Sequence, residues 1–138
     1  MNLDAPIIEA RELTRHFGGT RNLFTRTPTV YAVNGVSFSV QKGETFAIVG
    51  ESGCGKSTLG RLLLRLIDST EGRVIYEGKD ITHLGTEPMR RLRREMQIIF
   101  QDPFASLNPG MTVGQIIGEP IALHGLAKGS ARNERVAE

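Results

Sequence analysis

The residues best equipped for chemistry lie in one run, Gly50-Glu51-Ser52-Gly53-Cys54-Gly55-Lys56-Ser57-Thr58. Its spacing is G-x-x-x-x-G-K-[ST], that of a phosphate-binding loop. Glycines at 50, 53 and 55 let the backbone take positive φ, or approach a ligand where a side chain would intrude. Successive backbone N–H groups then point into one concavity and form an anion nest. A helix beginning at the end of the loop adds unpaired N–H groups and the positive end of its dipole. Lys56 supplies a point charge for the β- and γ-phosphates of a triphosphate, and the Ser57 hydroxyl is placed for Mg²⁺. Glu51 reads as the outer rim of the loop. Cys54, at a helix N-terminus, reads either as a reactive thiol or as one of several small residues that would serve there.

Such a loop works only between a buried strand and a helix. Thr45-Phe46-Ala47-Ile48-Val49 is a short apolar run and reads as a core strand of a parallel sheet. Leu59, Leu62, Leu63, Leu66 and Ile67 recur at i, i+3, i+4, i+7 and i+8, which predicts a helix with one buried face and with Arg61 and Arg65 on the wet one. A second candidate core strand, Gln97-Ile98-Ile99-Phe100, is followed by Gln101. Ligands on parallel sheets bind at the carboxyl ends of the strands. Lys56, Ser57 and Gln101 are therefore expected to converge, with the Gln101 amide oxygen on Mg²⁺ or on a water facing the γ-phosphate.

The remaining chain supplies the frame. Residues 6–13 read as a first strand, Arg15 to Gly19 as punctuation, and residues 20–29 as a polar loop. Val30 to Val40 reads as a half-buried antiparallel strand, because Val36, Phe38 and Val40 alternate with Ser37 and Ser39. Residues 41–44 form a tight turn. Residues 73–76, 77–78 and 79–81 read as strand, turn and continuation. Thr86 is expected to cap a short helix bearing Met89, Leu92 and Met96. Pro103 breaks pairing, and residues 104–110 read as loop. Thr112 and Gln115 form a capping box for a helix carrying Val113, Ile116 and Ile117, which Pro120 ends or kinks. Ser130 is expected to cap a last helix.

Length and charge exclude several classes. The chain has 138 residues and 39% apolar content, enough for one core, and its net charge of +2 is no nucleic-acid-scale field. The arginines at 90–94 lack interleaved aromatics and read as the solvated face of a short helix. A single cysteine fits a reducing compartment. The N-terminal residues show no signal peptide, and no apolar run is long enough to span a membrane, so a cytosolic location is expected, with any membrane link through a partner. His16, His83 and His124 have no metal-ligand spacing, and Asp102 reads as a turn residue.

Residues 50–58 together with Phe100-Gln101-Asp102-Pro103-Phe104-Ala105-Ser106-Leu107-Asn108-Pro109 resemble the nucleotide-binding subunit of an ABC transporter. The subgroup most resembled is the ATP-binding subunits of bacterial dipeptide and oligopeptide importers. Further support comes from residues 32–38, 59–63 and 112–117. The resemblance implies an α/β fold: a P-loop NTPase core of ABC type with an N-terminal antiparallel β-subdomain and the start of the helical subdomain. It divides the chain into 1–44 (antiparallel β-subdomain), 45–101 (P-loop core) and 102–138 (glutamine loop and helical start). It implies ATP and Mg²⁺ as cofactors, with Gln101 sensing Mg²⁺ and the γ-phosphate and Phe17 stacking on adenine, Tyr31 being the rival. The implied partners are a second ATP-binding subunit, transmembrane permease subunits and, indirectly, a solute-binding protein, with no nucleic acid. The implied location is the inner face of the cell membrane. The family's signature motif, Walker B strand and switch histidine are not found in these residues, so a truncated N-terminal part with little or no hydrolysis alone is expected. The competing readings are a soluble ABC-type ATPase acting on DNA or ribosomes, and an unrelated P-loop kinase, against which the antiparallel strands ahead of the loop speak.

Overall fold

The computed structural model describes residues 5–19, 21–22, 25–26 and 28–138. The N-terminal reading at residues 1–4 and parts of the polar loop read at 20–29 lie outside them. The chain divides into two units, Met1–Met89 and Arg90–Glu138.

The first unit is built on a four-stranded antiparallel sheet in the order β4-β1-β5-β6, from β1 (Ile8–Phe17), β4 (Val30–Val40), β5 (Glu71–Tyr76) and β6 (Lys79–Asp80). A separate two-residue ladder joins β2 (Arg21–Asn22) and β3 (Thr25–Arg26). The long β1·β4 pairing runs from Ile8 opposite Val40 to Phe17 opposite Val30. β1 therefore continues through residues 15–17, expected as punctuation, because β4 offers a partner along that whole length. Around Glu12 the register slips, and Glu12 adopts φ 48°. Side chains secure this bulge: the Glu12 N–H donates to Ser37 Oγ at 2.8 Å, the Ser37 hydroxyl donates to Glu12 Oε1 at 2.7 Å, and the Gly35 N–H donates to Thr14 Oγ1 at 2.9 Å. The bulge lets two consecutive residues, Leu13 and Thr14, both be buried. β5 and β6 are joined at Glu77-Gly78, both with positive φ, the tight hairpin turn that matches strand twist. The core gathers Ala10, Leu13, Val33, Val74, Ile75 and Ile81, with Leu59 and Leu62 from α1 (Lys56–Leu63) and Met89 from α2 (Thr86–Leu92).

Several expectations are corrected. Residues 45–49 form no ladder and are exposed along their length; Phe46 stacks on Phe38 of β4 at 4.9 Å, but stacking does not replace paired amides. Helix α1 ends at Leu63, short of the periodic pattern. Leu66 N–H bonds Arg61 O and Arg65 N–H bonds Leu62 O, a Schellman stop with Arg65 at φ 53°. Arg65 is not on a wet face: it pairs with Asp68 at 3.2 Å and reaches Leu84 O. Thr86 is the first residue of α2 rather than its cap, since Met89 N–H bonds Gly85 O.

In the second unit residues 97–100 likewise form no ladder. Residues 104–106, read as loop, join Pro103 in the one-turn helix α3 (Pro103–Ser106), capped by Asp102, whose Oδ1 accepts from Phe104 N–H at 3.0 Å. Helix α4 (Val113–Leu123) opens with the expected capping box: Gln115 N–H donates to Thr112 Oγ1, and Thr112 N–H to Gln115 Oε1 at 2.8 Å. It runs on through Pro120 to Leu123, and its buried residues are Gly118 and Ile121, while Val113 and Ile117 are exposed. Ser130 is the first residue of α5 (Ser130–Ala137), with Gly129 at the cap. The two helices meet through small residues. A Cβ on Gly118 would lie 2.7 Å from the Arg132 guanidinium, and one on Gly114 3.9 Å from Val136.

Candidate phosphate-binding site

The loop takes the shape its glycines allow. Gly53 and Gly55 have φ 81° and 97°, and Gly55 is the N-cap of α1. Gly55 has a second reason to be glycine: a Cβ there would lie 2.0 Å from the carbonyl oxygen of Ala32 in β4. The loop thus rests against the start of β4, and Val33 is the next atom set in reach. Gly50 is held differently, since a Cβ there would meet Cys54 Sγ at 2.6 Å. Gly53 faces open space and needs only its φ.

Leu59 makes the first helical hydrogen bond, to Gly55 O at 2.8 Å. The N–H groups of Lys56, Ser57 and Thr58 lie ahead of that bond, at the positive end of α1. The buried Leu59 and Leu62 fix the helix on the sheet. The Lys56 ammonium folds over the loop and donates to Gly50 O at 2.8 Å and Glu51 O at 2.6 Å, with Cys54 Sγ at 3.6 Å. A charge held at this rim is within reach of an anion seated in the nest. Ser57, Glu51, Ser52 and the free thiol of Cys54 are exposed. The donor set fits a polyphosphate: backbone amides, one ammonium and a hydroxyl.

Phe17 and Tyr31 stand at the end of the sheet that carries this loop. Phe17 pairs with Val30 and His16 with Tyr31, one residue from the Ala32 carbonyl that abuts Gly55. Phe17 is 41% exposed and has the Arg15 guanidinium over its ring at 4.6 Å; Tyr31 is 63% exposed and leans on His16 at 5.6 Å between ring centres. Gln101 belongs to the second unit, exposed at a bend ahead of α3. Two contacts here go unannounced by the motifs: the Ala32 carbonyl under the loop, which no side-chain pattern signals, and Arg15 over the ring of Phe17, two residues away on the same strand and hence on the same face. No group of three or more His, Cys, Asp or Glu side chains suited to a metal occurs among the described residues, and no helix among them is long and apolar enough to cross a membrane.

An antiparallel β-subdomain leading into a glycine nest at a helix start defines a nucleotide-binding protein of the ATP-binding-cassette class. The chain belongs to the ABC transporter family: the family's sequence profile, described as "ABC transporter", matches residues 33–138. It is 49% identical over 96% of its length to the oligopeptide transport ATP-binding protein AppF of Bacillus subtilis (strain 168), covering 41% of that protein. It is also 49% identical over 96% of its length to the glutathione import ATP-binding protein GsiA of Salmonella paratyphi A, covering 21% of it. The structure of the ATP-binding cassette MJ0796, a dimer in a post-hydrolysis state bound to ADP and Pi, superposes with a TM-score of 0.74 at 25% identity, over 94% of this chain and 54% of that one. The chain thus spans between about a fifth and two fifths of the length of these curated relatives.

Proposed function

We propose that this chain is the ATP-binding part of an importer subunit that energises uptake of peptides or similar small solutes. The observation that carries the reading is the loop at residues 50–58, with positive φ at Gly53 and Gly55 and the Lys56 ammonium folded over its rim. In this reading the amides of the loop and of the first turn of α1 hold the β- and γ-phosphates, Lys56 neutralises them, and Ser57 ligates Mg²⁺. Gln101 takes its place at Mg²⁺ and the γ-phosphate, next to the contact with permease subunits, and Phe17 stacks on adenine. ATP binding draws two such subunits together and hydrolysis releases them, with permease subunits and a solute-binding protein completing the transporter at the inner face of the membrane. The relatives support a peptide or glutathione cargo over action on DNA or ribosomes.

The test is binding of a fluorescent ATP analogue with and without Mg²⁺. Lys56→Ala is expected to abolish measurable binding, and Gln101→Ala to leave metal-free binding intact while reducing the gain that Mg²⁺ brings. Unchanged affinity in Lys56→Ala overturns the site, and an unchanged Mg²⁺ gain in Gln101→Ala removes Gln101 from it.

A further inference from the structure

We infer that Arg15 is a positioning residue for the nucleotide base: it backs the ring of Phe17 and holds it as a platform on which a purine stacks. The inference rests on the reading of Phe17 given above and assigns a role to a residue outside the phosphate loop.

Three constraints meet at this point. The backbone of Phe17 is fixed by its pairing with Val30, and the turn that follows it is fixed as well, because a Cβ on Gly18 would lie 2.5 Å from the carbonyl oxygen of Pro28. What remains free is the ring, whose χ angles would swing an exposed aromatic through solvent. Arg15 removes that freedom. Its guanidinium carbon sits 4.6 Å above the ring centre, and its Nη1 donates to the carbonyl oxygen of Asp68 at 2.9 Å, in the segment that follows α1. One side chain therefore ties the platform to the stretch of chain just beyond the phosphate loop's own helix. Arg15 Nε is buried with no hydrogen-bond partner among the described residues, as expected where the guanidinium packs over an apolar ring and a terminal nitrogen makes its hydrogen bond. Phe17 keeps 41% of its surface exposed with Arg15 over its ring, and the ring face away from Arg15 is the one assigned to the base. Stacking tolerates any π-face, so this device strengthens binding of nucleosides in general rather than selecting one base.

The experiment compares displacement of a fluorescent ATP analogue from the whole chain by ATP and by inorganic tripolyphosphate, which has no base. Phe17→Ala is expected to weaken ATP about tenfold and Arg15→Ala about three- to tenfold, both leaving tripolyphosphate unchanged. Arg15→Ala added to Phe17→Ala is expected to weaken ATP no further. Arg15→Lys, which keeps a cation and a donor, is expected to recover part of the loss and serves in place of the alanine variant if that one does not fold. If Phe17→Ala leaves ATP unchanged, the platform itself fails. If Phe17→Ala weakens ATP and neither Arg15 variant does, the role of Arg15 alone is overturned. Equal losses for ATP and tripolyphosphate in the Arg15 variants, or further loss in the double variant, overturn it too.

Discussion

Gly53 and Gly55 share a backbone conformation and differ in surroundings, which lets strain and contact be separated. Alanine at either position must hold a positive φ, at about 1–2 kcal/mol. At Gly53 nothing lies within 4 Å of the added Cβ, whereas at Gly55 it meets the Ala32 carbonyl at 2.0 Å, a backbone atom of a paired strand that cannot yield cheaply. Urea denaturation is therefore expected to show a loss of about 1–2 kcal/mol for Gly53→Ala and a larger one for Gly55→Ala. Equal losses would mean that β4 does not floor the loop. Cys54 offers a second residue-level check. Its thiol is exposed within the loop, 3.6 Å from the Lys56 ammonium. Alkylation of Cys54 is expected to slow when Mg-ATP is present, followed by mass spectrometry; equal rates would mean that phosphates do not enter the turn. At this scale the sequence was most informative, because the chemistry of phosphate binding is written in contiguous residue types from Gly50 to Thr58. What it hid were contacts made across the chain, the Ala32 carbonyl against Gly55 and the Arg15 hydrogen bond to Asp68.

Elements were legible where their determinants are local. The alternation in Val30–Val40 and the Thr112–Gln115 capping box need only neighbours in sequence, and both formed as expected. Asp102-Pro103 is equally local, a capping residue followed by proline at the first helical position, though in sequence the pair also fits a turn. Strands at 45–49 and 97–100 are a different matter. Apolar, β-branched composition gives a segment the capacity to be a core strand, but a strand exists only with a partner, and composition does not supply one. Helix α1 stops early for a reason periodicity cannot carry, since the Arg65 side chain has partners in Asp68 and Leu84 that compensate its left-handed backbone. The β5–β6 hairpin yields a test at this scale. The carboxylate of Asp80 is held below the usual range by the hydroxyl and backbone N–H of Thr82, the latter at 2.9 Å, with Arg73 farther away at 3.9 Å. A depressed folded-state value means that the hairpin gains stability while Asp80 is ionised, and that the gain is lost as pH falls below the ordinary aspartate value of about 3.9. Thermal midpoints are expected to drop as pH falls below about 4, and Asp80→Asn to lower stability at pH 7 while flattening that drop. An unchanged acid profile in Asp80→Asn would assign the loss to other carboxylates.

Over the whole molecule, the exposed apolar side chains set the behaviour in solution. Val49 in the first unit is 90% exposed and Ile99 in the second is 97% exposed. Each lies in a run whose backbone is in no ladder, 45–49 and 97–100. Scattered apolar residues on a surface are ordinary, but consecutive exposed ones on chain outside any ladder combine a sticky face with backbone not engaged in a sheet, a combination that favours pairing between molecules. The net charge of +2 provides little repulsion against it. The chain on its own is therefore expected to self-associate with rising concentration in sedimentation velocity. A lysine placed in either run tests whether the runs are responsible, because neither Val49 nor Ile99 is in the buried core. Val49→Lys and Ile99→Lys should each shift the distribution toward monomer, with thermal midpoints unchanged, and the double variant should do so further. Association that persists undiminished in the double variant would locate the sticky surface elsewhere, with the exposed Val113 and Ile117 of α4 the next to substitute.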